Sequence, residues 1–195
     1  MAPLGTDQQV GPIGSIDQLR TELVQVKARL DRIEQGLRPR GNGVTIVAFS
    51  GDMDRLYAAL VIATGAAAMG MKASVFFTFW GLNALRKDRR LKGKRPLQAL
   101  LSLLLPASHE RLPTSRFNLL GAGPRLFDRM MRKGGLASMP QLVATARQAG
   151  VRLVACQNSV ELMGIRPDEL IDGIEYGGVA TYLADAARSH ICLFV

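Results

Sequence analysis

The segment 44–79 constrains the fold most, because it places an alanine-rich helical stretch between two short apolar runs. Val44–Phe49 is a continuous apolar run, which is typical of a buried strand. Arg55–Met69 has the pattern of a helix, and Ala73–Phe79 predicts a second buried strand. A strand, a helix and a strand in this order predict a right-handed parallel crossover.

The later part of the chain continues the same alternation. Met139–Ala149 has the pattern of a helix that Gly150 ends, and Val151–Ala155 predicts a strand. Two more helices and a terminal strand are predicted near the end of the chain: 159–163, 178–188 and 191–195. We therefore expect an α/β domain over residues 44–195, with an open sheet of at least four mainly parallel strands flanked by helices.

The composition excludes several classes of protein. Of the 195 residues, 48% are hydrophobic, which excludes a chain that is disordered throughout and allows one main globular domain. Two cysteines are too few for a disulfide scaffold, and no secretory signal pattern opens the sequence, so we expect a cytoplasmic protein. The two histidines, His109 and His190, have no partners at metal-binding spacing, so we expect no metal and no organic cofactor.

One window of the sequence is apolar enough to be tested as a membrane span. Val61–Trp80 covers twenty residues and has Lys72 as its only charge. The window divides at residues 68–72 into a small-residue helical half and a β-branched and aromatic half, Ser74–Phe79. We therefore expect a buried helix followed by a buried strand, and no membrane span.

The net charge of +9 is concentrated in the middle of the chain. Residues 81–133 hold thirteen basic and three acidic side chains, within a basic excursion of the domain at about 81–135. Such a segment is either a surface for an acidic protein, an anionic substrate or a nucleic acid backbone, or a solvated, mobile insertion. It has no aromatic interleaving and no recognised nucleic-acid motif, so nucleic acid is an unfavoured partner.

An N-terminal segment with a different pattern precedes this domain. Residues 1–14 are rich in Gly, Pro and Gln and predict a disordered lead. Residues 15–37 predict a coiled-coil helix, because apolar residues keep an unbroken heptad spacing: Ile16, Leu19, Leu23, Val26, Leu30, Ile33 and Leu37. Leucine mostly at position a with β-branched residues at d favours more than two strands. The polar segment 38–43 predicts a linker, which favours a homo-oligomer paired through this helix over a helix packed on its own domain.

Functional groups of an open parallel sheet gather where the strands give way to loops at their carboxyl ends. Three such ends are recognisable, and their loops share one edge of the sheet if the strands are parallel. Cys156 ends the third strand and is the only strong nucleophile at this edge. We expect the neighbouring loop residues to line a pocket: Ser50, Gly51, Asp52, Phe79, Trp80, Gly81 and Asn158.

Cys156 is the candidate catalytic residue. Asn158 and Glu161 are spaced as at a helix start, which places the sulfur near unpaired N–H groups that lower a thiol pKa. The alternative is that Cys156 is a small buried residue, and Cys192 is predicted to be one. An acidic run close in sequence argues against a strongly lowered pKa: Glu161, Asp168, Glu169, Asp172 and Glu175.

Five segments resemble the DsrE/DsrF/DrsH-like family, in order and over about residues 44–195: Ser50–Leu60, Phe76–Leu82, Leu153–Ser159, Leu162–Ile165 and Asp172–Leu183. The resemblance implies a DsrEFH-like α/β fold and oligomeric assembly. In characterised branches it implies transfer of sulfane sulfur through a cysteine persulfide, in a cytoplasmic sulfur relay or in sulfur oxidation, with TusA-like and rhodanese-like partners. Cys156 matches the strand-end cysteine of the family, and this sequence has no second cysteine in the corresponding loops.

These observations lead to three functional hypotheses. The first is a sulfur carrier or sulfurtransferase with a persulfide on Cys156, in which Phe79 and Trp80 wall the site and the basic excursion steers an anionic donor or acidic partner. The second is a non-catalytic assembly subunit built on the heptad helix. The third is a protein that binds a small ligand or nucleotide in the crevice at the strand ends.

Overall fold

The computed structural model describes residues 16–36, 41–116 and 122–195. The chain divides into two compact units, Met1–Pro39 and Arg40–Val195. The predicted disordered lead, 1–14, lies outside the described residues. The boundary between the two units falls inside the segment 38–43 that the composition predicts as a linker.

The first unit contains helix α1, Ile16–Gly36. Its first turn holds Asp17, where a negative charge interacts favourably with the positive end of the helix dipole. A helix is therefore present where the heptad pattern predicts one. The two outermost positions of the predicted helix, residues 15 and 37, lie outside the described residues.

The second unit is built on a five-stranded sheet in which all neighbouring strands are parallel. The sheet order is β4-β3-β2-β1-β5. The predicted α/β fold with parallel strands is confirmed. The strand β4 was not predicted, because three residues are too few to show a periodicity. The strands β1 to β5, in chain order, are Gly43–Ala48, Lys72–Phe77, Arg152–Cys156, Glu175–Gly177 and Ile191–Phe194.

Helices flank the sheet, and four of them begin and end within two residues of their predicted bounds. The start of α5 shows why its sequence forms a helix: the Ser138 amide donates to the Gln141 side-chain oxygen at 2.8 Å, and proline follows in the first turn. The helices α2 to α7, in chain order, are Met53–Ala68, Pro96–Leu104, Ala122–Lys133, Met139–Gln148, Gln157–Met163 and Val179–Ala186.

Alternation along the strands divides the core between the two faces of the sheet. On one face, Ile46 and Val75 belong to the main cluster, which also contains the buried side chains of α2 and α5. On the other face, Phe76 and Cys156 belong to a smaller cluster that packs against Tyr182 of α7. Cys156 therefore lies on the face of the sheet opposite the main core.

The basic excursion is anchored by three buried charges. Arg86 and Glu169 are fully buried, with 2.7 Å between Nη2 and Oε2. The Lys94 ammonium lies 2.7 Å from the other carboxylate oxygen, Oε1, and donates to the Ser102 hydroxyl at 2.7 Å. One carboxylate thus holds two cations of the excursion in the domain interior; we call Arg86, Lys94 and Glu169 the ion triplet.

Other cations of the excursion pair with carboxylates nearer the surface. Lys87 Nζ lies 3.1 Å from Asp172 Oδ1, and Arg90 Nη1 lies 3.0 Å from Asp168 Oδ2. The excess positive charge is therefore partly neutralised within the domain. For these residues the contacts favour a docked segment over a solvated, mobile insertion.

Both histidines make structural contacts to the backbone. His109 Nδ1 donates to the Arg86 carbonyl oxygen at 2.5 Å. His190 Nδ1 donates to the Gly41 carbonyl oxygen at 2.6 Å. A carbonyl oxygen only accepts hydrogen bonds, so the ring nitrogen is the donor in each case.

The apolar window Val61–Trp80 covers the end of α2 and all of β2, as predicted. Its single charged residue, Lys72, begins β2 and is exposed. Within the parts of the chain that the structure describes, no helix has the length and apolar character that crossing a membrane requires.

The variant Glu169→Gln should destabilise the domain strongly, because it leaves Arg86 and Lys94 buried without a counter-charge. Removing one member of a buried pair costs about 3–5 kcal/mol of unfolding free energy. The matched control Asp172→Asn removes a carboxylate that is 93% exposed, and such an ion pair contributes about 0–1 kcal/mol. Urea unfolding followed by circular dichroism measures both changes. Equal, small losses in the two variants would show that the ion triplet does not anchor the excursion.

Candidate functional site

The pairing of β2 with β3 places Thr78 beside Cys156. Phe77 of β2 pairs with Ala155 of β3 in parallel register. Thr78 follows Phe77 and Cys156 follows Ala155, so Thr78 and Cys156 lie at neighbouring positions at the carboxyl edge of the sheet. The loops after β1, β2 and β3 share this edge, as the predicted parallel topology requires.

Cys156 is the last residue of β3 and directly precedes α6. This position gives it the amides of the first helical turn, which have no partner within the helix. The amides of Asn158 and Ser159 interact with the sulfur, as do the hydroxyls of Ser159 and Thr78. The two hydroxyls also contact each other, with 2.9 Å between their oxygens. Two amides and two hydroxyls from two neighbouring strand ends thus surround Cys156, and because one hydroxyl proton joins the two hydroxyl oxygens, one hydroxyl at a time donates to the sulfur. We call Thr78 and Ser159 the hydroxyl pair.

The pKa of the Cys156 thiol lies below its ordinary value. Burial is the largest single influence and raises the pKa, because it removes water from the charged sulfur. The hydroxyl pair and the amides of Ser159 and Asn158 lower the pKa, and together they outweigh burial. These donors favour the thiolate, because each of them stabilises negative charge on the sulfur. A position at a helix N-terminus is one of the environments that lower the pKa of reactive cysteines.

The acidic residues close to Cys156 in sequence do not raise the pKa of its thiol above the ordinary value. The largest influences on the sulfur are burial and uncharged donors. The fold pairs the carboxylates of the acidic run with other side chains. The pairs are Glu161 with Gln157, Asp168 with Arg90 and Arg166, Glu169 with Arg86 and Lys94, Asp172 with Lys87, and Glu175 with Arg152.

The exposure of Cys192 differs from the prediction. Cys192 is exposed, whereas Cys156 is buried with 9% of its surface exposed, and both are free thiols. The prediction that Cys192 is a core residue is wrong, because β5 is a short edge strand that pairs with β1 on one side only. Cys192 pairs with Thr45 near the start of β1. The two cysteines therefore lie toward opposite ends of the strands.

The loop after β2 crosses over the end of β1. The Gly81 amide donates to the Phe49 carbonyl oxygen at 3.0 Å, and a Cβ at Gly81 would lie 1.9 Å from the Ala48 oxygen. Only glycine allows this close approach. A Cβ at Gly51 would lie 3.1 Å from the Trp80 Cβ. The predicted gathering of the first two loops is therefore a direct contact between them.

Phe79 lies in this loop with a backbone φ of 46°, in the left-handed region that residues with a Cβ rarely adopt. Within the described residues it is the one non-glycine residue with a positive φ. Such strain persists only where the surrounding structure enforces it, and it clusters at functional sites. Phe79 directly follows Thr78, so the strained position adjoins the hydroxyl pair.

Exposed aromatic side chains lie along the same edge of the sheet. The Phe49 ring centroid lies 5.5 Å from that of Phe79 and 5.8 Å from that of Phe194. Phe79 and Trp80 each expose 41% of their surface. We call Phe49, Phe79, Trp80 and Phe194 the aromatic edge. A group of exposed apolar side chains of this kind marks an interaction surface.

Ser50 and Asp52 are bound within their own loop. The Ser50 hydroxyl donates to Asp52 Oδ2 at 2.9 Å, and the Asp52 amide donates to Ser50 Oγ at 3.1 Å. The same carboxylate oxygen lies 3.7 Å from Arg55 Nε. These contacts shape the turn before α2, and none of them joins Ser50 or Asp52 to Cys156.

A cavity of about 490 Å³ lies beside α6. Gln157, the residue after Cys156, lines it, but Cys156 does not. None of the residues predicted from sequence to form the pocket lines this cavity. Its polar lining comes instead from α6, from β4 and from the excursion and the segment after α6: Lys94, Gln98, Gln157, Glu161, Arg166 and Tyr176.

Sequence reasoning missed the hydroxyl pair as functional groups. Thr78 and Ser159 both lie in the loops identified at the strand ends, but their relation to the sulfur depends on β2 and β3 being neighbours. Asn158 is a predicted site residue, and its backbone amide is the part that interacts with the sulfur. Two signals were available in the sequence. Thr78 directly follows β2, and Ser159 lies three residues after the strand-end cysteine.

The chain matches the model of the DsrE/DsrF/DrsH-like family over residues 41–194. The chain belongs to this family. Its DsrE-like domain is similar to the uncharacterized protein YrkE of Bacillus subtilis (strain 168), with 41% identity over 152 residues that cover 77% of this chain and 95% of YrkE. It is also similar to the sulfur carrier protein DsrE2 of Allochromatium vinosum, with 32% identity over 158 residues that cover 78% of this chain and 97% of the relative.

A solved structure, the ychN protein from E. coli, aligns with 79% of this DsrE-like chain and 99% of its own, with a TM-score of 0.46 and 14% sequence identity. The family match begins at residue 41 and therefore leaves α1 outside it.

In this DsrE-like domain, Thr78→Val and Ser159→Ala should each raise the pKa of Cys156, because each removes a donor that favours the thiolate. The pH dependence of iodoacetamide alkylation, in a Cys192→Ser background, measures this change. The midpoint of the rate profile should move to higher pH in both variants.

The matched control for this experiment is Thr145→Val, which removes a hydroxyl that donates to the Gln141 carbonyl oxygen on α5. Its alkylation profile should overlie that of the parent. Profiles for Thr78→Val and Ser159→Ala that also overlie the parent would show that the hydroxyl pair does not set the pKa.

Proposed function

We propose that this protein is a sulfur carrier that holds a sulfane sulfur atom as a persulfide on Cys156. The observation that carries the proposal is the convergence of two amides and the hydroxyl pair on one strand-end sulfur, which favours its thiolate. The 32% identity to a protein named as a sulfur carrier supports the same chemistry. On this proposal the protein acts as a sulfurtransferase that needs neither a metal nor an organic cofactor.

Loading is an exchange between sulfur atoms. The Cys156 thiolate attacks the outer sulfur of a donor persulfide, a new S–S bond forms at Cys156, and the donor's own S–S bond breaks to release its thiolate. With thiosulfate as donor, the leaving group is sulfite. The oxidation level of the transferred sulfur is carried over unchanged, so no external oxidant or reductant is consumed.

Unloading repeats the exchange in the opposite sense. An acceptor thiolate attacks the outer sulfur of the Cys156 persulfide, and the Cys156 thiolate leaves. A thiol of low pKa is a better leaving group than an ordinary thiol. The hydroxyl pair and the two amides therefore help in both directions, because the Cys156 thiolate is the reactant of loading and the product of unloading.

The acceptor is a thiol of another protein. Cys192 is the only other cysteine of the sequence, and it lies toward the opposite end of the strands. Because Cys156 is 9% exposed, a cysteine on a slender or flexible segment reaches it more easily than one on a folded surface. The aromatic edge supplies a docking surface, and the exposed cations of the excursion favour an acidic partner. We infer a TusA-like or rhodanese-like partner in a cytoplasmic sulfur relay.

Intact-mass spectrometry after incubation with polysulfide or thiosulfate tests the carrier. The wild type and Cys192→Ser should gain the mass of sulfur, and the reducing agent dithiothreitol should remove it. Cys156→Ser should gain none at the same donor concentration. An adduct that persists in Cys156→Ser but is lost in Cys192→Ser would place the reactive thiol elsewhere and contradict the proposal.

A second function, that of a non-catalytic assembly subunit, is favoured by the exposed heptad pattern of α1. It predicts that Cys156→Ser retains full function in the cell, and that deletion of residues 15–37 abolishes it. The carrier proposal predicts loss of function in Cys156→Ser. Complementation of a deletion strain with each variant distinguishes the two.

A further inference from the structure

The helix α1 exposes its whole described apolar seam. The helix is 21 residues long, and most helical stability in proteins comes from packing of an apolar face and not from intrinsic propensity. The seam residues and their exposed fractions are Ile16 71%, Leu19 50%, Leu23 69%, Val26 58%, Leu30 52% and Ile33 61%. The seam therefore needs a partner of matching shape.

We infer that α1 pairs in parallel with α1 of further copies of this chain. The seam alternates spacings of three and four residues without a break, which is the pattern that two or more copies of the same helix bury against each other. Ile16, Leu23 and Leu30 occupy position a, and Leu19 and Val26 occupy position d. In a parallel arrangement each of these layers meets itself, so every apolar layer is matched to an identical one.

The charges beside the seam favour the parallel direction. Glu22 occupies position g, and Lys27 occupies position e of the next heptad. In a parallel coiled coil these two positions face each other across the interface, so each contact joins opposite charges. An antiparallel arrangement that keeps the a and d layers in contact instead brings Arg20 of one helix toward Lys27 of the other, a repulsive contact, and Glu22 toward Arg29, an attractive one. These two contacts offset each other, so the charges favour the parallel direction.

The self-association is additional to the DsrE-like domain. The family match begins at residue 41, after α1 ends at Gly36. The inference uses only the exposed seam and its flanking charges, so it does not depend on sulfur chemistry at Cys156. A protein that carries no sulfur would still pair through α1.

Cysteine cross-linking of the full-length chain tests the direction. In a Cys156→Ser/Cys192→Ser background, Leu19→Cys places a thiol at a d position of the seam. A parallel coiled coil brings the two Cys residues within disulfide distance, so oxidised glutathione should convert most of the protein into covalent dimers on a non-reducing gel. In the antiparallel alternative, position 19 lies opposite position 30, and the two introduced thiols are about 16 Å apart along the helix.

The matched control is Val24→Cys, which has similar exposure, 67%, but lies off the seam at position b. It should stay monomeric on the same gel. Cross-linking of Leu19→Cys no faster than of Val24→Cys would overturn the inference. So would covalent dimers that form only when Leu19→Cys and Leu30→Cys proteins are mixed, because that result identifies an antiparallel pair.

Discussion

The parallel pairing of β2 with β3 is the interaction on which the candidate site depends. It sets Thr78 beside Cys156 and, through Ser159, brings hydroxyls from both strand ends to one sulfur. A slip of one residue in this register would turn Cys156 toward the opposite face of the sheet and away from the α7 cluster. The lowered pKa of the thiol is therefore a consequence of sheet topology, to which the start of α6 adds two amides.

Burial and polarity act against each other at this sulfur. Burial alone favours the neutral thiol, which would make Cys156 the small core residue that its apolar surroundings also permit. The donors reverse that preference without using any charged side chain. A thiolate stabilised in this way can stay close to apolar groups such as Phe76 and Tyr182, so the site keeps its packing while it holds a charge.

The ion triplet anchors the basic excursion in the domain. A single carboxylate, Glu169, joins Arg86 and Lys94, and the surrounding surface pairs repeat the pattern between the same two segments. The basic excursion is thus held against the segment that follows α6, the helix that comes directly after Cys156. The charges that first suggest an external partner therefore have a large internal role.

The residue pattern predicts much of the fold, because β1 and β2 have apolar runs and α2 has an alanine-rich run. Such runs identify buried elements without knowledge of their neighbours. The features that it could not predict depend on strand order or on distant pairing. Thr78 and Ser159 are 81 residues apart in sequence, and Arg86 and Glu169 are 83 apart.

The two cysteines show the same limit. Cys156 was identifiable from sequence as the candidate site residue, because it ends an apolar run and precedes a helix start. The amides at the helix start were predictable as well, but the contribution of Thr78 was not, because Thr78 belongs to a neighbouring strand end. The exposure of Cys192 follows from β5 being an edge strand, which its apolar sequence, Ile191–Phe194, does not reveal.

The pH dependence of sulfur loading at Cys156 tests most directly whether the hydroxyl pair makes this thiol a carrier. Mass spectrometry would follow loading by polysulfide in the wild type and in the double variant Thr78→Val/Ser159→Ala. The account predicts a loading midpoint below the pKa of an ordinary thiol in the wild type and a clearly higher midpoint in the double variant. Identical midpoints in the two proteins would contradict it.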